Sequence, residues 1–194
     1  DALGSPLIKE FEQIVRMYVV LKEIVAENNA EALTIKCNFE LSQEFGLTAC
    51  IPLSVIGNRL VASCEADIPV VLTQLLLHYL SGGETTSYVD VHEILDDRIL
   101  VAACGFAPGN MCVGKKVIPD LPNEEREGLG ATFGTYITNK NHLRGGYVTL
   151  ARILKEPEGD FSLHTANGRS VGDIGKISEI GCPQYPFTEI KLST

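Results

Sequence analysis

Two acidic residues carry the chemistry that this chain can be expected to do. Glu65 lies in Ser63-Cys64-Glu65-Ala66-Asp67-Ile68, where a strand-like run passes into a helix-like one. Asp90 interrupts the apolar stretch Tyr88-Val89-Asp90-Val91, a setting in which strand propensity disfavours aspartate. Carboxylates at the ends of neighbouring elements of an α/β sheet can converge on one cation or one substrate. That arrangement suits metal-assisted acid–base chemistry better than a binding surface. Each residue also has a structural explanation. Glu65 and Asp67 would complement the dipole of a first helical turn, and Asp90 could mark a turn or a sheet edge.

The other reactive side chains form no comparable pattern. His78 sits near the end of a helical run, where an imidazole suits the helix dipole. His92, His142 and His164 have no partner at metal-ligand spacing. Gly128-Leu129-Gly130 and Gly145-Gly146 read as turns rather than as a phosphate-binding loop between strand and helix. No Gly-x-Ser-x-Gly elbow is present. The six cysteines, Cys37, Cys50, Cys64, Cys104, Cys112 and Cys182, include no Cys-x-x-Cys pair and fit buried thiols of a cytoplasmic protein.

The elements that must position Glu65 and Asp90 follow from periodicity. Leu7, Phe11, Ile14, Tyr18, Leu21 and Val25 recur at three- and four-residue steps and predict a helix over 6–28. A strand is expected over 32–37, a short helix from Asn38 to Gly46, and another over 50–57 with Pro52 in its first turn. A strand over 60–63 leads to a helix over 66–80, closed by Gly82-Gly83. This alternation argues for a parallel α/β layer. After Tyr88 the pattern changes to short β-rich runs separated by Gly and Pro, with one possible turn at 123–126. Strands are expected over 131–138, 147–154, 161–166 and 188–192, and Lys155-Glu156-Pro157-Glu158-Gly159-Asp160 is a hairpin signal between two of them.

The fold expected is therefore α+β or α/β. A three-layer-like α/β segment over 1–105 carries the Glu/Asp site, and a small antiparallel β-barrel over 106–194 follows it. Apolar residues make up 45% of the 194 residues, enough for a substantial core. No run reaches the roughly 18 apolar residues of a membrane span. The net charge of −9, with Lys115-Lys116 as the only basic pair, argues against a nucleic-acid partner. The chain opens at Asp1 without an initiator methionine and reads as a piece of something longer.

Cys64-Glu65-Ala66-Asp67-Ile68, the Leu-rich helix through Leu75-Leu76-Leu77, Leu80-Ser81-Gly82 and Val89-Asp90-Val91 together resemble the L-fucose isomerase-like family. Cys104-Gly105 with Pro108, Val148-Thr149-Leu150-Ala151-Arg152, and Pro186 with Ile190-Lys191-Leu192 extend the resemblance. It implies a cytoplasmic, homo-oligomeric aldose–ketose isomerase for a small sugar of the L-fucose or arabinose type. Such enzymes work through an ene-diol and use Mn2+ or another divalent cation such as Mg2+. By the same resemblance Glu65 and Asp90 are both metal ligands and catalytic residues. The sequence departs from the family pattern in three ways. Ala103 stands where a histidine precedes Cys-Gly, Phe187 stands where a histidine follows the last proline, and the family's N-terminal α/β domain has no counterpart. The resemblance thus implies a fragment inactive alone. The alternative is a non-catalytic sugar-binding or assembly domain that kept the fold and lost metal-ligand histidines.

Overall fold

A computed structural model describes residues 5–36, 41–45, 47–102, 106–112, 117–119, 135–137, 145–177 and 186–193. The long helix α1 spans Ser5–Glu27 and ends where Asn29 turns left-handed at φ 46°. There the Ala30 amide donates to the Val25 carbonyl and closes the last turn. Strand β1 (Ala32–Ile35) follows, then α2 (Ser42–Phe45) and α3 (Cys50–Ile56). Strand β2 (Val61–Cys64) runs parallel to β1, with Ala32 opposite Val61 and Ile35 opposite Cys64. Helix α4 (Ile68–Leu80) closes this part, and Gly82 and Gly83 follow it at φ 78° and 100°. The expected α/β alternation is thus present, with a parallel pair at its centre.

The remaining described strands are antiparallel. They are β3 (Asp90–Ile94), β4 (Arg98–Ala102), β5 (Val117–Pro119), β6 (Thr135–Ile137), β7 (Gly146–Lys155), β8 (Phe161–Ile177) and β9 (Pro186–Leu192). One sheet has the order β3-β4-β9-β8-β7, and β5 and β6 form a separate ribbon. The expected hairpin lies where Glu156 and Gly159 predicted it: Lys155 pairs with Phe161, and the Glu156 amide donates to the Asp160 carbonyl. An α+β architecture follows. Among the described residues the larger sheet is open, with β3 and β7 as its edges.

Several expectations differ in detail. Helix α4 begins at Ile68 rather than Ala66, because Asp67 caps it. Strand β8 continues eleven residues past Ala166, to Ile177. Strand β4, an apolar run without alternation, had no sequence signal of its own. Asp90 belongs to the antiparallel sheet, not to the layer that contains β2, because β3 folds back on β4 through the Leu95–Arg98 turn. Cys50, Cys64 and Cys112 are buried thiols, as expected. Cys37, Cys104, Cys182, His142, Ala103, the expected turn at 123–126, Gly128-Leu129-Gly130 and the expected boundary at Gly105 lie outside the described residues.

Two apolar cores result. One gathers Leu21, Leu53, Ile56, Cys64, Tyr88 and Phe106 beneath α1, α3 and α4. The other gathers Ile99, Val101 and Ile190 on one face of the large sheet, with Val148, Leu150 and Leu192 against them. Gly168 lets β8 and β9 close over the second core. A Cβ there would sit 2.6 Å from the Lys191 carbonyl oxygen and 2.8 Å from Ile190 Cγ2. The obstacle includes backbone, so it cannot be relieved by a rotamer change. Gly168→Ala is expected to destabilise the protein by about 1–3 kcal/mol. Urea unfolding checks this, and an unchanged midpoint would show that the strands are free to separate there.

Candidate functional site

Glu65 follows the last residue of β2 and takes φ 66°; Ala66 continues at φ 55°. Two consecutive left-handed residues other than glycine cost about 1–2 kcal/mol each. Such backbone persists where the surroundings over-determine it, and it is concentrated at functional sites. Here the fixed points lie on both sides of the turn. Behind it, Cys64 is fully buried in the first core. Ahead of it, Asp67 Oδ1 accepts the Val70 amide at 3.0 Å and starts α4, with Pro69 in the first turn. The half-buried Glu65 is therefore held between a buried strand end and a capped helix.

Asp90 is the first residue of β3, opposite Ala102, and is half-buried. The Tyr88 hydroxyl donates to Asp90 Oδ1. Side chains two apart on an extended chain share a face, which makes this bond possible. Tyr88 is itself buried in the core that contains Cys64, so the anchors of Glu65 and Asp90 share one apolar cluster.

A cleft of about 390 Å³ opens between α4 and the β7–β8 hairpin. Tyr88, Gln74 and Arg152 line it, together with Thr149, His164 and Thr165. Arg152 Nη2 donates to Asp67 Oδ2 at 2.8 Å, so the wall beside Glu65 is built from an ion pair across two elements. Glu65 and Asp90 do not line the cleft themselves. Each lies two residues from one that is bonded at or beside its wall: Asp67, which holds Arg152, and Tyr88. On the hairpin, His164 Nε2 lies 2.9 Å from Ser162 Oγ and 3.6 Å from Glu156 Oε1. The Ser162 hydroxyl, and to a lesser degree His164, holds the Glu156 carboxyl below its usual range.

His78 has the structural role that the sequence suggested. His78 Nδ1 donates to the Glu84 carbonyl at 2.8 Å and serves the helix end. His92 is exposed on β3. Among the described residues no group of three or more His, Cys, Asp or Glu lies together. Glu65 and Asp90 are nonetheless hard oxygen donors. Magnesium and manganese ions commonly take one or two carboxylates and complete their shell with water and substrate oxygens, so the donor chemistry fits such a cation. Sequence reasoning missed Tyr88, Arg152 and the capping role of Asp67. For the last the signal was present: Asp-x-Pro is a helix-start pattern.

No protein-family model matches the chain. It is 27% identical over 173 residues, 84% of its length, to a protein named sulfoquinovose isomerase from Alkalicoccus urumqiensis. It is 23% identical over 184 residues to proteins of the same name from Priestia aryabhattai and Priestia megaterium. The chain spans 37% of the length of the first of these relatives and 36% of the other two. The class of protein to which it is similar is thus that of the sugar isomerases. The particular relatives are sulfoquinovose isomerases. No helix among the described residues is long and apolar enough to cross a membrane.

Asp67 serves both the helix cap and the Arg152 pair, and the two can be separated. Asp67→Ala is expected to cost about 1–2 kcal/mol through loss of the cap. Asp67→Asn keeps a capping oxygen and should cost less than about 1 kcal/mol, because the ion pair is partly exposed and screened. Equal costs in thermal unfolding would mean that the cap contributes little.

Proposed function

We propose that this chain belongs to a cytoplasmic, cation-dependent aldose–ketose isomerase acting on a small sugar. The observation that carries this reading is the cleft between α4 and the hairpin. Tyr88, bonded to Asp90, stands on its wall, and Arg152, bonded to Asp67 beside Glu65, stands on its rim. The relatives' name supports a sugar isomerase as the class. The resemblance of Glu65 and Asp90 to the acid–base pair of the L-fucose isomerase-like family supports the finer assignment. In this reading the large sheet and the β5–β6 ribbon are parts of a small barrel.

Isomerisation moves a proton between adjacent sugar carbons through an ene-diol. One carboxylate takes the proton from one carbon and returns it to the other while the second moves the hydroxyl proton between the two sugar oxygens, and Glu65 and Asp90 are the residues assigned to this pair of transfers. Tyr88 keeps the Asp90 carboxylate in one orientation. The left-handed turn fixes the direction in which Glu65 leaves the strand. Positioning of this kind lowers the entropic part of the barrier. Glu65 and Asp90 would also hold the cation, Mn2+ or Mg2+. When bound, that ion would polarise the sugar oxygens and stabilise the charge developing between them. Arg152 lines the cleft as a hydrogen-bond donor for hydroxyl or anionic groups of the sugar, and Thr149, whose hydroxyl donates to Asn167 Oδ1, offers an acceptor for a sugar hydroxyl.

Glu65→Gln and Asp90→Asn nearly conserve shape while removing a proton carrier. Each is expected to lower kcat/KM by about 100-fold or more in the whole protein. Each should also weaken manganese binding measured by calorimetry. A panel including sulfoquinovose, L-fucose and L-arabinose identifies the sugar. A whole protein inert on such a panel, and binding no manganese, would overturn the isomerase. It would leave the non-catalytic sugar-binding or assembly domain that Ala103 and Phe187 favour.

In this reading the chain also associates, with copies of itself and with the remainder of a longer protein. Phe11, Val15, Val19 and Ile24 of α1, and Ile68 and Leu72 of α4, expose large apolar side chains to solvent. Sedimentation of the whole protein is expected to show an oligomer. A strict monomer at high concentration would count against association.

A further inference from the structure

A second cleft, of about 470 Å³, lies at the other end of β2 from Glu65. Leu60 lines it and precedes β2, whereas Glu65 follows β2, so the two ends are on the order of 15 Å apart. Tyr18 and Lys22 of α1, Asn58 and Arg59 of the α3–β2 turn, and Asn110 of a 3-10 turn at Gly109–Met111 surround it. The isomerase reading uses none of these residues.

The hydrogen bonding leaves this rim rich in donors. The Asn110 amide donates to Asn58 Oδ1 at 2.8 Å, and Asn110 Nδ2 donates to the Asn58 carbonyl at 3.1 Å. The pair fixes the turn and takes up Asn58 Oδ1 and the Asn58 carbonyl as acceptors. The donors that remain are the Asn58 side-chain amide, the Arg59 guanidinium and the Lys22 ammonium, beside the acceptor Asn110 Oδ1. Both cations are exposed, and among the described residues neither is within ion-pair reach of a carboxylate. Lys22 is steered by the Tyr18 ring, whose centroid lies 5.5 Å from Nζ. In a chain of net charge −9, two cations left unneutralised over one pocket stand out. The wall beneath them is apolar, with Val25 and Ile56. The volume falls within the range of small-molecule sites.

We propose that this cleft binds a phosphomonoester, with Arg59 and Lys22 on the phosphate and the organic part against Tyr18 and the apolar wall. A guanidinium offers paired donors that match phosphate oxygens, and an ammonium adds a point charge. The site is independent of the Glu65–Asp90 region, so it would act as a second, regulatory or carrier site.

Phenyl phosphate is a suitable probe, titrated into the full chain by calorimetry and observed by phosphorus NMR. Binding in the sub-millimolar range is expected, weakening as salt rises. Lys22→Gln and Arg59→Gln should each weaken it roughly tenfold or more, the loss expected for one charge-assisted contact. Both side chains are exposed, so the variants should keep the wild-type circular dichroism spectrum and melting temperature. Phenol should not bind, and benzenesulfonate, with one charge fewer, should bind more weakly. Absence of phenyl phosphate binding would overturn the proposal. So would binding unchanged in both variants, or benzenesulfonate binding as tightly as the phosphate.

Discussion

Two consecutive side chains of α4 hold the two halves of the structure together. Thr73 Oγ1 donates to the Pro69 carbonyl at 2.7 Å and accepts the Ile153 amide at 2.9 Å. Gln74 Nε2 donates to the Ala62 carbonyl at 3.1 Å. Thr73 thus reaches the large sheet and Gln74 the parallel pair, and both are buried. Strand β7 is a sheet edge, whose outward amides need partners. The helix supplies one through Thr73, and Asp67 pairs with Arg152 one residue earlier on the same strand. Each such bond is worth about 1 kcal/mol net, but leaving a buried donor unmet costs about 1–3 kcal/mol. The cleft exists because α4 is pinned on both sides; without that contact its two walls would belong to separate bodies.

The local elements were legible in the sequence because their signals are local. The three- and four-residue steps of α1, the double glycine after α4 and the Glu-Pro-Glu-Gly-Asp turn of the hairpin each arise from neighbouring residues. What remained hidden depends on distant partners. Arg98–Ala102 is an apolar run without alternation, and it is a strand because β9 lies beside it. The extension of β8 past Ala166 is likewise read from β9, through Gly168 opposite Leu192 and Asp173 opposite Thr188. Asp90 was legible as an unusual residue but not as a member of the antiparallel sheet. Its partner Tyr88 could be inferred only once the extended backbone placed the two on one face.

Tyr88 and Val89 explain how one extended segment serves two cores of different construction beside the cleft. Tyr88 turns into the cluster under α1, α3 and α4, and Val89 turns into the cluster on the sheet. The alternation of an extended chain is enough to give each core one of them. Asp90, next in line, returns to the side of Tyr88 and emerges partly buried at the boundary. The position of a charged residue between two cores follows from three successive residue types.

The central position of β9 bears on how the chain reaches this state. It pairs with β4 on one side and β8 on the other, although it follows both in sequence. The β3–β4 and β7–β8 hairpins can form from nearby residues, but among the described strands it is β9, residues 186–192, that joins them in one sheet. During synthesis on the ribosome each hairpin waits with an open inner edge, the condition in which strands pair with the wrong neighbour. Completion of the sheet is then a late, non-local event of the slow-folding kind. The nascent sheet would be most exposed to aggregation just before residues 186–192 emerge.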